Sequence, residues 1–524
     1  MMGTKLRIFA PLTDLSLDRL VPRDHFYRRL DRALDLAFVR DLVVDCYAAG
    51  GRPSVDPVVF FKLQLVMFFE DIRSERRLLA VAADRLSVRW YLGYNLCEPL
   101  PDHSSLTRMR DRYGLEIFRR FFDAVVVQCQ QAGLVWGREL YLDATKVEAN
   151  ASLDSVAPRF AVDAHLEQLF ASETASTDVD APSAQSAPVS FPAPADTVVA
   201  EANATRHDWL AREGRPDRTV TRAHYERLSN YRASRTDPDA TLMTRRGGGG
   251  AHFGYHTHYV VDGGKARVIL QALVTPADVT ENLPMRDVVW RARFRWKLHP
   301  HQVTGDTTYG TADNVVALED QGIHAYVPLR DFDTRTARFS DKDFRYDRER
   351  DAYRCPQGEW LTFNHHAYAL RQTCYRAKPA ICNACPIKAR CTTGKRGREV
   401  IRSFDEEYLE GVRGYHTTEA YQKAYRKRQV WVEPLFAEGK QWHRLRRFRL
   451  RGLTKVNGEA LLIASGQNLK RLLQRDGGDA APGRAVRRIL WSVLPPHIPE
   501  SHLPNRLPSH VLQHTGSLSQ DISG

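Results

Sequence analysis

No stretch of the chain stays apolar long enough to cross a membrane, and the first twenty residues lack the apolar core and cleavage site of a secretory signal. A soluble, cytoplasmic protein with no membrane partner is therefore expected. Cysteine is sparse, at eight in 524 residues. Three of these, Cys46, Cys97 and Cys129, are scattered through a helical first quarter, where a small buried hydrophobe is the ordinary role. The glycine run from Gly247 to Gly250 has neither a Gly-Lys-Ser or Gly-Lys-Thr ending nor a flanking strand, so it reads as a hinge and not as a phosphate-binding loop.

Acid is also in short supply. Against 76 Lys and Arg stand 63 Asp and Glu, leaving a formal charge of +13. A polyanion is the expected partner, and nucleic acid is the first candidate. The imbalance is steepest from Gln422 to Lys455, where eleven bases face only Glu433 and Glu438. Tyr425, Trp431, Phe436, Trp442 and Phe448 recur through that stretch, and interleaved aromatics favour a binding surface over a solvated face.

The acids that are present include three in suggestive places. Glu139 to Asn150 reads Glu-Leu-Tyr-Leu-Asp-Ala-Thr-Lys-Val-Glu-Ala-Asn. Leu140 and Leu142 alternate with Tyr141 and Asp143, the period of a short strand that delivers a carboxylate at its carboxyl end. Asp306 follows a second short strand, and Glu433 lies in the basic helical region. Taken singly, such acids are ordinary surface residues. Brought together from distant segments they repel one another unless a cation holds them, which points to a divalent metal and phosphoryl transfer.

Residues 1–133 read as a helical domain. Asp24 can cap one helix, Pro57 opens another, and more are expected over Ser74 to Leu86 and Leu115 to Gly133. Between the last two, Asp102 or Ser104 can cap a helix carrying Arg108 and Arg110. This arrangement fits a helix-turn-helix DNA reader, and equally a plain bundle with exposed arginines.

Residues 134–330 place strands at Leu140, at Tyr255 to Asp262 and at Arg267 to Val274, with a tight turn at Asp262-Gly263-Gly264; helix, strand, helix and strand follow as far as Leu329. A flexible insertion at about 150–250 interrupts them, basic and helical from Arg206 to Arg232 and poor in large apolar groups from Ala171 to Ala200. The order suits an α/β fold with a ribonuclease-H-like mixed five-stranded sheet and flanking helices. A cysteine-rich module over 331–425, further helices over 426–475 and a disordered tail over 476–524 complete the chain.

The remaining five cysteines fall between Cys355 and Cys391. Cys382 and Cys385 are two residues apart and can face one tetrahedral site; with Cys391 and Cys355 they would make four sulfur ligands for structural Zn2+. Cys374, His365 and His366 compete for the fourth position. The module is expected to be too polar to fold firmly without metal. Further on, Arg426, Glu433 and Lys440 recur every seven residues, one stripe of a helix that Arg444 continues, although Pro434 sets Glu433 near a helix start or a kink.

Asp143 in Tyr-Leu-Asp-Ala-Thr-Lys, Asp306 in Gly-Asp-Thr-Thr-Tyr-Gly-Thr, Glu433 in Val-Glu-Pro-Leu-Phe-Ala-Glu-Gly-Lys, Arg449-Leu450-Arg451-Gly452-Leu453 and Gln467-Asn468-Leu469-Lys470 resemble DDE transposases of bacterial insertion sequences. The likeness runs from about Leu15 to Leu473, and the cysteine-rich stretch is similar to an insertion found in one subgroup. It implies that Asp143, Asp306 and Glu433 hold two Mg2+ (or Mn2+) ions for in-line attack on a phosphodiester.

The resemblance also implies partners: double-stranded DNA, as terminal inverted repeats and target, handled by a homodimer. Such proteins often carry Tyr, two residues, Arg, three residues, Glu, six residues, Lys. Lys440 matches, whereas Arg426 and Gln429 stand at the Tyr and Arg positions, with Tyr425 and Arg428 displaced by one. Lys440, Arg428, Arg426, Arg444, Arg108 and Arg110 are the expected DNA contacts. A nuclease that cuts without joining, or a zinc-stabilised DNA-binding regulator without catalysis, are the competing readings.

Overall fold

β1 (Glu139–Glu148) runs through the centre of a mixed sheet. Leu140 and Leu142 on one face and Tyr141 and Val147 on the other are almost fully buried, which fixes the register because a slip of one residue would exchange the two faces. The computed structural model describes residues 16–47, 54–158, 232–244, 250–330 and 337–475, all within the compact unit Met1–Gly478.

On one side β1 pairs antiparallel with β5 (Ala251–Asp262), in register Asp143 to Tyr259. β5 in turn pairs with β6 (Ile269–Pro276) and, nearer its start, with β4 (Thr241–Thr244). On the other side β1 pairs parallel with β7 (Gln302–Thr304), and β7 parallel with β8 (His324–Tyr326). The helix Met285–Arg295 connects β6 to β7, and Ala312–Glu319 connects β7 to β8.

The sheet therefore has six strands, one more than expected. Asp143 lies in the middle of a ten-residue strand and not at its end, because Ala144 to Glu148 continue the ladder with β5. Part of the expected insertion is also folded. β2 (Val156–Pro158) and β3 (Arg232–Ser234) pair antiparallel, so the chain leaves and re-enters at one point. Beyond β3, Asp237 accepts a hydrogen bond from the Tyr255 hydroxyl at 2.6 Å, and Asp239 accepts one from the Leu453 N–H, the first residue of a long helix. The low-complexity stretch, the basic sequence before Arg232, most of the glycine run and the tail all lie outside the described residues.

That helix, Leu453–Arg475, is the keystone. Asn457 bridges the N–H and C=O of Val274, and Asn468 does the same for Ile269, with all four bonds at 2.8 to 3.0 Å. The other face packs on the N-terminal helices, where Gly466 lets Phe68 approach so closely that an added Cβ would lie 2.5 Å from its ring. Asn468→Ala strands two buried backbone groups, so a loss of about 2–4 kcal/mol is expected, read as a lower denaturant midpoint.

In the N-terminal part, Asp56 caps Pro57–Phe69, Ser74 caps Glu75–Asp84 and His25, not Asp24, caps Phe26–Ala33. Asp102 caps the helical stretch His103–Gln131, which breaks at the non-helical Gly114 into two helices, as expected. Gly114 takes a φ of 61°, a backbone position that suits glycine, so the break costs little.

The cysteine-rich module is an antiparallel sheet of β9 (Arg345–Asp347), β10 (Ala352–Arg354), β11 (Trp360–Ala367), β12 (Gln372–Ala377) and β13 (Glu399–Ser403). It has its own core of Phe344, Tyr353, Leu361, Tyr375 and Val400, against which Cys355 and Cys382 pack. The following helix, Glu406–Tyr415, reaches back to the main sheet, where Tyr415 donates to Glu319 at 3.0 Å. The helix Glu419–Trp431 crosses the expected division at residue 425.

Candidate active site and cysteine cluster

Tyr141 and Asp143 share the face of β1 that looks toward the helices Glu419–Trp431 and Glu433–Trp442. Tyr141 lies under the Lys427 ammonium, 5.4 Å from ring centre to nitrogen, and Tyr259, opposite Asp143, stacks on Phe436 at 4.5 Å. Asp143 is 14% exposed. One carboxylate oxygen accepts the Ala144 N–H at 2.9 Å, and the other lies 3.2 Å from a terminal nitrogen of Arg428.

Asp306 follows β7 and caps the single turn Thr307–Tyr309, accepting the Thr308 N–H at 2.8 Å. Glu433 opens its helix with Pro434 in the first turn, which suits the break between two helices at Val432. It is 54% exposed, and its Oε1 lies 3.7 Å from the other terminal nitrogen of Arg428.

Burial pushes the Asp143 carboxyl up to about 6; Arg428 and the Ala144 N–H pull it down, while the charges of Asp306 and Glu433 push it further up. Asp306 and Glu433, from segments far apart in the chain, thus lie near enough to Asp143 for their charges to act on it. Lys440 is close by: burial and Arg446 lower its pKa, and the Asp143 carboxylate raises it.

Residues 15–112 match the family model described as a transposase domain, and residues 354–473 match the transposase DDE domain. The two matches support a DDE transposase of insertion-sequence type. Comparison with the curated proteins and with the solved structures returned no match. The segment that matches the DDE domain contains Glu433, Arg428 and the five cysteines from Cys355 to Cys391, while Asp143 and Asp306 lie upstream of it.

The expected basic contacts divide. Arg426 is exposed on its helix, and exposed Arg108 bonds the Ser104 and Ser105 hydroxyls. Arg110 corrects the expectation: it is 6% exposed and ion-paired with Glu75, so it holds the helical domain together and reaches no phosphate. The stripe of Arg426, Glu433, Lys440 and Arg444 does not lie on one helix, because two helices meet at Val432. Arg444 falls beyond the second with a φ of 58° and pairs with Asp71 at 2.7 Å.

None of the eight cysteines forms a disulfide. Cys355 sits on a tight turn closed by the Gly358 N–H at 2.8 Å, where Gly358 has a φ of 88°. Burial pushes the Cys391 thiol up, Arg398 pulls it down, and Cys382, Cys355 and Cys385 add to the rise, so these four sulfurs are near neighbours. The Arg398 N–H donates to the Cys382 sulfur at 3.3 Å. Cys374 stands apart, on β12 between His365 and Ile401. His366 bonds Thr373, and His365 contacts Asn364.

Among the described residues, no set of three or more His, Cys, Asp or Glu side chains converges closely enough to hold a metal ion as it stands. At the acids, the Arg428 guanidinium occupies the space between Asp143 and Glu433.

Sequence reasoning missed Tyr309 and Glu281. Tyr309 is fully buried; burial raises its hydroxyl far above the usual range, and Asp143, Glu281 and Asp306 add to the rise. Glu281 lies 3.8 Å from the buried His256. The signal for Tyr309 is the glycine on either side of its motif. A Cβ at Gly305 would sit 2.7 Å from the Tyr309 ring, so glycine is what lets the ring lie under Asp306.

Proposed function

We propose that this transposase cuts double-stranded DNA at the terminal inverted repeats of its element and joins those ends to target DNA, acting on DNA as a homodimer. The observation that carries the proposal is that Asp143 and Glu433 flank one buried guanidinium, with Asp306 near enough for its charge to act on Asp143. Three carboxylates suit a hard divalent cation, and a guanidinium already stands where positive charge is wanted. Support for a ribonuclease-H-like core comes from the strand order β6-β5-β1-β7-β8, with β5 antiparallel to β1 and β7 and β8 parallel to it.

Asp143, Asp306 and Glu433 would hold Mg2+ or Mn2+, which would supply an activated water or 3′-hydroxyl and charge stabilisation at the leaving oxygen. Asp143 is rigid, anchored in mid-strand. Glu433, at a solvent-facing helix start, can adjust as the scissile phosphate arrives. Lys440 lies beside Asp143 and supplies a positive group for the phosphate oxygens, and Arg426 offers an exposed charge on the neighbouring helix.

Cys355, Cys382, Cys385 and Cys391 would hold Zn2+, a reading that the mutual proximity of the sulfurs and the backbone N–H on Cys382 support. The helix Glu406–Tyr415 would relay the order of that module to the sheet edge at β8.

The test is an end-cleavage and strand-transfer assay with Mg2+ or Mn2+, on DNA carrying the inverted repeats that flank the coding region. Joined products support the proposal. Cut but unjoined DNA indicates a nuclease, and binding without cutting indicates a regulator.

A pH dependence follows. With the Asp143 carboxyl raised to about 6, the ionised form it needs is lost as pH falls through that value. Cleavage at low Mg2+ should fall about tenfold per unit below pH 6. Raising Mg2+ should move this acid limb to lower pH, because proton and cation compete for one carboxylate. An acid limb insensitive to Mg2+ would count against Asp143 as the titrating ligand.

A further inference from the structure

Arg428 stands one residue before the position at which the related transposases often carry arginine, so its role is not inherited from that pattern. Its side chain projects from the helix Glu419–Trp431 back into the acid site and is 9% exposed. The two terminal nitrogens divide between two acids, 3.2 Å from Asp143 and 3.7 Å from Glu433. The third nitrogen, Nε, is buried with no hydrogen-bond partner. The Tyr425 ring lies 5.9 Å from the guanidinium centre on the same helix.

A buried arginine with one nitrogen unsatisfied is not held at its own optimum. It is held by the carboxylates, and they by it. Without it, the buried Asp143 would face the charges of Asp306 and Glu433 with Lys440 as the remaining nearby cation. The guanidinium also fills the space between two of the three acids, and a divalent ion bridging them would face a positive group at contact distance. The two cations exclude each other.

We infer that Arg428 is the resident counter-ion of the DNA-free acid site, and that it must swing out before Asp143 and Glu433 can share a divalent cation. The group that draws it out is a DNA phosphate, since a guanidinium leaving a carboxylate pair keeps its energy only by finding another oxyanion. DNA and cation therefore bind with positive coupling, and the protein away from DNA binds cation poorly. This guards against cutting at random, because the site is complete only where a phosphate backbone lies along the helix Glu419–Trp431. By linkage, DNA affinity rises in the presence of cation by the same factor as cation affinity rises in the presence of DNA.

The inference rests on the acid trio being the cation site, and the experiment separates the two. Mn2+ binding to the full-length protein is followed by the loss of the free-ion electron paramagnetic resonance signal, with and without a non-cleavable DNA end. The proteins compared are wild type, Arg428→Gln, Arg428→Lys and Asp143→Asn, each first checked for native circular dichroism. Without DNA, Arg428→Gln should bind Mn2+ at least tenfold more tightly than wild type, with Arg428→Lys near wild type because it keeps the charge. DNA should tighten Mn2+ binding to wild type at least tenfold and to Arg428→Gln less than threefold.

Equal or weaker Mn2+ binding by Arg428→Gln without DNA would overturn the counter-ion role, while loss of binding in Asp143→Asn would leave the acid site standing. If Asp143→Asn binds Mn2+ as wild type does, with and without DNA, the acid site itself is wrong and the inference fails with it. If Arg428→Gln does not fold, Arg428→Ala and the wild-type DNA coupling decide: absence of that coupling overturns the inference.

Discussion

Replacing Asp143 by Asn should lower DNA cleavage by about a thousandfold or more while DNA binding measured without divalent cation changes less than threefold. The first figure follows from removing a charged ligand of the proposed cation, whose stabilisation of the transition state amounts to several kcal/mol, each 1.4 kcal/mol being a factor of ten. The second follows from position. Asp143 is 14% exposed, bonded to Ala144 and Arg428, and offers no positive charge to a phosphate. The amide also keeps the shape of the carboxylate, so the ladder with Tyr259 is preserved. Cleavage within tenfold of wild type would remove Asp143 from the reaction.

Cys385→Ser is expected to produce the largest structural loss. A chain with four thiolates should carry about one zinc, and with one ligand gone the content should fall several-fold, as measured by inductively coupled plasma or native mass spectrometry. Proteolysis should then open the module between β9 and β13 well before the main sheet. The loss should be partial in structure, because Phe344, Tyr353, Leu361, Tyr375 and Val400 form a core of their own. Cys374→Ser should leave zinc unchanged, since Cys374 sits on β12 away from the other sulfurs. Unchanged metal content in Cys385→Ser would dismiss the zinc reading.

Much of the fold was legible because it is written in periodicity. Alternating apolar residues in Leu140 to Val147 and in Tyr255 to Asp262 require strands, and Asp262-Gly263-Gly264 requires a turn between β5 and β6. The length of β1 was not legible. Thr145 and Lys146 look like loop residues, and only the partner strand β5 makes them strand.

Arg110 was misjudged for a similar reason. A guanidinium on a capped helix reads as exposed until its partner is known, and Glu75 lies thirty-five residues away in sequence. The acid trio could be guessed from residue type and strand ends, but Arg428 between two of its members could not. That placement depends on a helix break at Val432, which turns Glu433 back toward the residue five positions before it.

The two asparagines that clamp β6 bear on assembly. An open sheet margin invites a strand from another molecule to add on through its bare amides and carbonyls. At Ile269 and Val274 those groups are already spoken for by Asn468 and Asn457, so backbone zippering between protomers has no foothold at these two positions. Were two chains to gather on one DNA as proposed, contact at this part of β6 would fall to side chains and not to a shared backbone ladder.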